Sequence, residues 1–194
     1  NENQSPSAGR NLGFKKAVGN FLLFVDGDME LIMDKSNLIS CLNHLKKGYA
    51  GVQGALEDYV NGNKFQILRK VENLVEVDYL PGSAFYSRRA LEKHNFNSNL
   101  NSNEERELGY RLVRSGEKMA ILPFDMVCHN RRNIIAGFSE IKRRYQNNYY
   151  LGLGQVFRAN FFSMLCFKHI LDQKVPFLFF ISVLAMVISF WFGF

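Results

Sequence analysis

Cysteine is scarce in this chain and poorly spaced for chemistry. Cys41, Cys128 and Cys166 are an odd number with no C-x-x-C pair among them, which excludes a disulfide framework and a structural zinc site. Cys128 and His129 are neighbours in what reads as a strand, so their side chains are expected on opposite faces, where they do not share one ion. Internal repeats and low-complexity runs are also lacking, which sets repeat architectures aside. What is present is 194 residues, 47% hydrophobic and 22% charged. That is too apolar for a disordered chain and too charged for one buried wholly in a membrane. The length suits a single α/β domain with a core plus attached elements.

The net charge of +6 is concentrated. Residues 131–174 carry eight basic side chains against Glu140 and Asp172, and the rest of the chain balances. Directly afterwards, residues 175–194 run for twenty positions without a charge, about the length that crosses the hydrocarbon core of a bilayer. We read this run as a transmembrane helix, with Pro176 tolerated in its first turn. Excess Lys and Arg beside a span marks the cytoplasmic side. The globular part is therefore expected in the cytoplasm, against a cell inner membrane or plasma membrane. The aromatics within the basic stretch, Tyr145, Tyr149, Tyr150 and Phe157 among them, favour a membrane interface over nucleic acid as its partner.

Along the chain, residues 1–9 read as polar and turn-like, and 21–25 as a buried strand opening into Asp26-Gly27-Asp28. A helix is expected over 34–47 with Gly48 as its stop, strands over 51–56 and 76–80, and a turn at Asn61-Gly62-Asn63. A short helix over 88–94 follows. The helix over 103–115 has a capping box from Ser102 to Glu105 and Gly116 beyond its end. Strands over 118–122 and 126–129 and an amphipathic helix over 134–150 complete the reading.

The chemistry starts at Asp26 and Asp28. In extended backbone they project to the same side, while Gly27 lets a ligand approach. Paired hard oxygens suit Mg²⁺ or Mn²⁺ bridged to a diphosphate. The same three residues also make an ordinary turn.

The companions of this motif narrow the choice. Arg10-Asn11-x-Gly13, Ala17-x-Gly19 and Phe24-Val25-Asp26-Gly27-Asp28 resemble a run found in family 2 glycosyltransferases. The order continues in Pro81-Gly82-Ser83-Ala84-Phe85-Tyr86-Ser87-Arg88-Arg89, similar to the family's acceptor-side strand and arginine pair. Asn103-Glu104-Glu105-x-Glu107-Leu108-x-x-Arg111 is similar to its acidic helix start, followed by Gly116-x-Lys118 and a strand ending in histidine.

The resemblance spans about residues 7–132. It implies a partial GT-A fold, a Rossmann-like sheet with flanking helices. The expected division is residues 1–133 as the catalytic part, 134–174 as a basic membrane-interface region and 175–194 as the span. It further implies that Asp28 and His129, with Asp26, hold Mg²⁺ or Mn²⁺, and that Arg10, Asp26 and Asp28 contact the nucleotide-sugar. Gly82, Ser83, Arg88 and Arg89 are expected on the acceptor side, where the arginine pair would suit a phosphate-bearing acceptor. Glu105, with Glu104 as the alternative, is expected to act as general base on the acceptor hydroxyl, inverting the anomeric centre. Glu stands where the family commonly has Asp, and at its helix position Glu105 also fits a capping role.

The implied activity is transfer of a sugar from a nucleotide-diphosphate sugar to a lipid-linked or polysaccharide acceptor in cell-surface glycan synthesis. The Gln-x-x-Arg-Trp run of processive members is missing, the only tryptophan being Trp191, so a single transfer is expected. The family's base-recognition strand and its aspartate have no counterpart here, so residues 1–194 alone are expected to bind nucleotide poorly and to be inactive. A sugar-phosphate nucleotidyltransferase or a non-catalytic membrane adaptor on the same fold are the alternatives. The Glu104-Glu105 helix and the His129 strand argue against the first.

Overall fold

The computed structural model describes residues 5–131, 137–161, 163–165, 168 and 171. The chain divides into two compact units, Asn1–Leu153 and Gly154–Phe194, and every described strand lies in the first. The 175–194 run lies outside the described residues. Among those described, no helix is long and apolar enough to cross a membrane.

Polar residues read as a turn are in fact the start of a helix, α1 (Pro6–Lys16). Ser5 Oγ accepts from Ala8 N at 3.4 Å, and Pro6 occupies the first turn, where its missing N–H costs nothing. The apolar run after it forms β1 (Phe21–Phe24), and β2 (Met29–Leu31) follows. Helix α2 (Lys35–Lys46) is capped by Asp34, whose side chain accepts from Asn37 N at 2.8 Å, and it stops at Gly48 with φ +105°.

β3 (Gly51–Val60) turns through Asn61 and Gly62, both at positive φ, into β4 (Asn63–Leu68). This is a two-residue hairpin whose second strand was not expected. Next come β5 (Val75–Val77), β6 (Ala84–Ser87), α3 (Arg88–Lys93), α4 (Glu104–Arg114) and the long β7 (Met119–Arg131). The helix expected over 134–150 is instead α5 (Gly137–Gln146), followed by α6 (Tyr149–Ala159). Residues 132–136, where that helix was expected to begin, lie outside the described residues.

The strands form one sheet in the order β1-β6-β3-β7-β2, with β4 on β3 and β5 on β7. Among them only β3 and β7 pair in parallel. The fold is mixed α/β, with more antiparallel pairing than a Rossmann-like sheet leads one to expect. The two strands expected over 118–129 are one. Pro123 cannot donate to a ladder, and β7 bulges past it opposite Gly54. A Cβ on Gly54 would come within 2.6 Å of Phe124 O, so the close approach requires glycine there.

One face of the sheet packs Leu80, Tyr86, Leu91, Phe96, Leu108 and Leu112 into a core. The other packs Cys41, Val52, Phe85, Leu122 and Met126. Each fully buried leucine here is worth about 1.5–3 kcal/mol. Cys41 is fully buried, and burial pushes its thiol up to about 12, so it stays protonated at neutral pH.

Candidate active site

Asp26-Gly27-Asp28 leaves β1 as a tight turn, with Met29 N donating to Asp26 O at 3.0 Å. The extended geometry expected of this motif is therefore not the one adopted, and the two carboxylates serve different partners. Asp26 faces the helix side and Asp28 faces the end of β7.

The first group gathers on Arg10. Its Nη2 donates to Asp26 Oδ1 at 2.8 Å and lies 2.8 Å from Glu105 Oε1, while Nη1 donates to Glu104 Oε1. One planar fork thus joins α1, the loop after β1 and the start of α4. Glu104, Glu105 and Glu107 fill the first turn of α4, where the helix dipole favours anions.

The guanidinium also lies 5.5 Å from the centroid of Phe96, which stacks edge-on against Phe24. Helix α1 is fixed beneath it by Asn11, whose side chain donates to Phe96 O at 2.7 Å and accepts from Phe96 N at 3.1 Å. Burial works against the charge of Arg10, but Glu105, Glu104 and Asp26 outweigh it and hold its pKa above the ordinary value. Burial raises the pKa of Glu105. Arg10 opposes that rise and Glu104 and Asp26 reinforce it.

The capping box expected at α4 does not form. Asn103 is the cap in left-handed conformation, φ +61°, without a side-chain cap bond, and Ser102 Oγ donates instead to Tyr149 O at 2.6 Å. Glu105 is therefore not spent on capping through Ser102.

Gly82 and Ser83 join this group. Ser83 Oγ accepts from Asp26 N at 3.1 Å, and Gly82, at φ +64°, leaves room where a Cβ would sit 3.3 Å from Asp26 Oδ2. Gln53 holds their loop, donating to Pro81 O and Ser83 O at 2.6 and 2.7 Å.

Arg88 and Arg89 do not join it. Arg88 donates to Gly19 O and Ala17 O, and Arg89 forms a two-pronged pair with Glu117. Both guanidiniums of the pair expected on the acceptor side thus have protein partners here, apart from the Arg10 group.

The second group is Asp28 and His129. Nε2 of His129 lies 3.1 Å from Asp28 Oδ2, because β2 runs antiparallel to β7 with Met29 opposite His129. A third carboxylate, Asp58, was not anticipated. Its Oδ1 lies 3.3 Å from His129 Nδ1, set there by the parallel register that places Asp58 opposite His129. No local motif marks Asp58, and only the β3–β7 pairing reveals it.

As a metal site this group is spare. Among the described residues no cluster of three or more His, Cys, Asp or Glu side chains is arranged to hold an ion. Asp26, expected to share the ion, is bound to Arg10 instead. Asp28 and His129 still supply one hard oxygen and one imidazole nitrogen at the same point, a donor pair suited to Mn²⁺ or Mg²⁺ when phosphate oxygens and water complete the shell.

An open groove of about 520 Å³ runs beside β1, lined by Arg10, Gly13, Phe14, Gly19, Phe24 and Val25 among others. It borders the Arg10 group, and the small residues in its wall permit close approach of a ligand.

Residues 1–101 match the sequence profile described as glycosyl transferase family 2. No curated protein matches the chain. Among solved structures it is similar to S. aureus TarS in complex with UDP-GlcNAc, at TM-score 0.62 and 18% identity, covering 90% of this chain and 52% of that one. It is also similar to GalNAc-T7 with UDP, GalNAc and Mn²⁺, at TM-score 0.57 and 15% identity, covering 68% of this chain and 32% of that one. The chain thus spans about half the length of the one and a third of the other, and the likeness is one of fold.

Proposed function

This chain belongs to glycosyl transferase family 2, and from that membership we propose that it carries the acceptor-activating and diphosphate-holding part of an inverting, metal-dependent glycosyltransferase. The observation that carries the reading is Arg10 gripping Asp26, Glu104 and Glu105 at once, which fixes a carboxylate of raised pKa at a helix start beside an open groove.

In this reading Glu105 takes the proton of the acceptor hydroxyl. The hydroxyl oxygen attacks the anomeric carbon from the face opposite the diphosphate, the carbon–oxygen bond to the diphosphate breaks, and the configuration inverts. Glu104 and Asp26 hold Arg10, and Arg10 orients Glu105 while lying close enough to meet a phosphate in the groove. Gly82 and Ser83 keep the Asp26 loop in place and open toward the acceptor.

Asp28 and His129 would hold Mn²⁺ or Mg²⁺, which supplies charge neutralisation to the departing nucleoside diphosphate. With only two protein donors, tight binding of the ion is expected to require the diphosphate. Complexes of TarS with UDP-GlcNAc and UDP, and of GalNAc-T7 with UDP and Mn²⁺, support a nucleotide-diphosphate sugar as donor and a divalent ion as cofactor.

The acceptor is a lipid-linked or polysaccharide molecule at the cytoplasmic face of a membrane. The basic stretch, the uncharged 175–194 run, and Ile141 and Tyr145 exposed beside Lys142 and Arg143 on α5 support this placement.

The test is transfer from radiolabelled nucleotide-sugars by the intact protein in membranes, with and without Mn²⁺, in wild type and Asp28→Ala. The reading expects metal-dependent transfer that Asp28→Ala removes. Transfer indifferent to both would contradict it. Release of diphosphate from a nucleoside triphosphate and a sugar phosphate would point to nucleotidyl transfer instead.

A further inference from the structure

Asp58 is fully buried in a strand that otherwise serves the sheet. Burying a carboxylate is costly unless both oxygens are satisfied. Here both have partners: Gln66 Nε2 donates to Oδ2 at 3.1 Å, and His129 Nδ1 lies 3.3 Å from Oδ1. Gln66 reaches it from β4 across the β3–β4 hairpin, in register with Asp58. The opposite ring nitrogen of His129 points to Asp28, 3.1 Å away. The imidazole is thus held between a buried carboxylate that is itself pinned and a carboxylate 68% exposed at the surface.

We propose that Asp58, braced by Gln66, is a positioning residue that sets the tautomer and ring orientation of His129 so that Nε2 presents its lone pair to a divalent cation shared with Asp28. The inference rests on the metal reading above and deepens it. An acceptor behind Nδ1 holds the proton on that nitrogen when a cation takes Nε2, and fixes the ring orientation. The geometry needs no new ligand, only the parallel β3–β7 register that places Asp58 beside His129. It also gives a use to the hairpin strand β4, which contributes little to the core and is largely exposed.

The test uses the intact protein with saturating UDP and titrates Mn²⁺, following loss of the free-ion electron paramagnetic resonance signal. The variants are Asp58→Ala, Asp58→Asn, Gln66→Ala and His129→Ala, with thermal unfolding midpoints recorded for each. Asp58→Ala is expected to weaken Mn²⁺ binding about 10- to 100-fold, the range typical of such outer partners. UDP affinity without metal should stay unchanged. Asp58→Asn keeps a carbonyl oxygen for Nδ1–H and is expected to restore part of the loss, and Gln66→Ala to show a smaller one.

Asp58→Ala also removes buried contacts to Gln66 and His129 that support the fold, so the wild-type tautomer is read directly by nitrogen-15 resonances of labelled histidine. With diamagnetic Mg²⁺ and UDP bound, protonated Nδ1 and bare Nε2 are expected. Wild-type Mn²⁺ affinity in both Asp58 variants, or the opposite tautomer in wild type, overturns the proposal. Should His129→Ala also bind Mn²⁺ like wild type, it is the metal reading itself that fails.

Discussion

Arg10 and Glu105 meet through Nη2 and Oε1 at 2.8 Å, although one lies near the start of the chain and the other on the fourth helix. The contact joins a cation that is only 13% exposed to a carboxylate whose pKa burial has raised. A carboxylate in that position is aimed by its partner and poised to accept a proton closer to neutrality than an ordinary side chain.

Removing the cation leaves three carboxylates facing one another. Breaking a buried ion pair costs about 3–5 kcal/mol; Asp26 is 31% exposed, and solvent screening brings the expectation for Arg10→Met to about 2–3 kcal/mol at pH 7. Without Arg10, Glu105, whose pKa burial already raises, loses the neighbour that opposes the rise. Its penalty is then absent below the ordinary carboxylate range and grows as pH rises through the folded value. Urea unfolding should show a deficit at pH 7 that shrinks at pH 5, and matching midpoints at pH 7 would count against the cluster.

The raised pKa of Glu105 has a kinetic signature. A base must be ionised to act, so the acid limb of the kcat/KM profile is expected above 4.5, the ordinary value for this side chain. In stability terms the sign is the same: Glu105 favours folding when protonated, and that contribution is lost as pH rises through its folded pKa. A limb at or below the ordinary value would remove Glu105 as the base.

Gly82→Ala tests the Asp26 loop. A side chain at φ +64° costs about 1–2 kcal/mol, and its Cβ would press on Asp26 Oδ2 at 3.3 Å. The expected result is a small fall in unfolding midpoint with a larger, at least tenfold, fall in kcat/KM. A loss of stability with unchanged kinetics would separate this loop from the site.

Much of this arrangement is legible in the sequence. The apolar run of β1, the periodicity and Gly48 stop of α2, and the acidic first turn of α4 are local signals, and each produces its element within a residue or two. Helix α1 was missed because its composition is polar and only Ser7 is buried in it, although Ser5-Pro6 was a usable start signal. Strand β4 was missed for a similar reason, being mostly exposed and carried by its hairpin turn. Pro123 reads as a break between strands, yet Gly54 opposite lets one strand bulge past it. The division of Asp26 from Asp28 and the role of Asp58 depend on strand register, which no local pattern encodes.

Asn11→Ala probes whether α1 must be docked for the Arg10 group to work. It removes two bonds to the Phe96 backbone, at about 1 kcal/mol each. Stability is expected to fall by about 2 kcal/mol, with kcat/KM falling at temperatures well below the unfolding midpoint. Wild-type kinetics in the folded variant would show that Arg10 is held without this anchor.

The most direct measurement is kcat/KM for sugar transfer by Glu105→Gln in the intact protein, with nucleotide binding and the unfolding midpoint measured alongside. Loss of a general base lowers the rate about 10²–10⁴-fold, and that fall is expected here with nucleotide affinity preserved. Transfer at the wild-type rate by the folded Glu105→Gln protein would contradict the assignment of this carboxylate as the group that activates the acceptor.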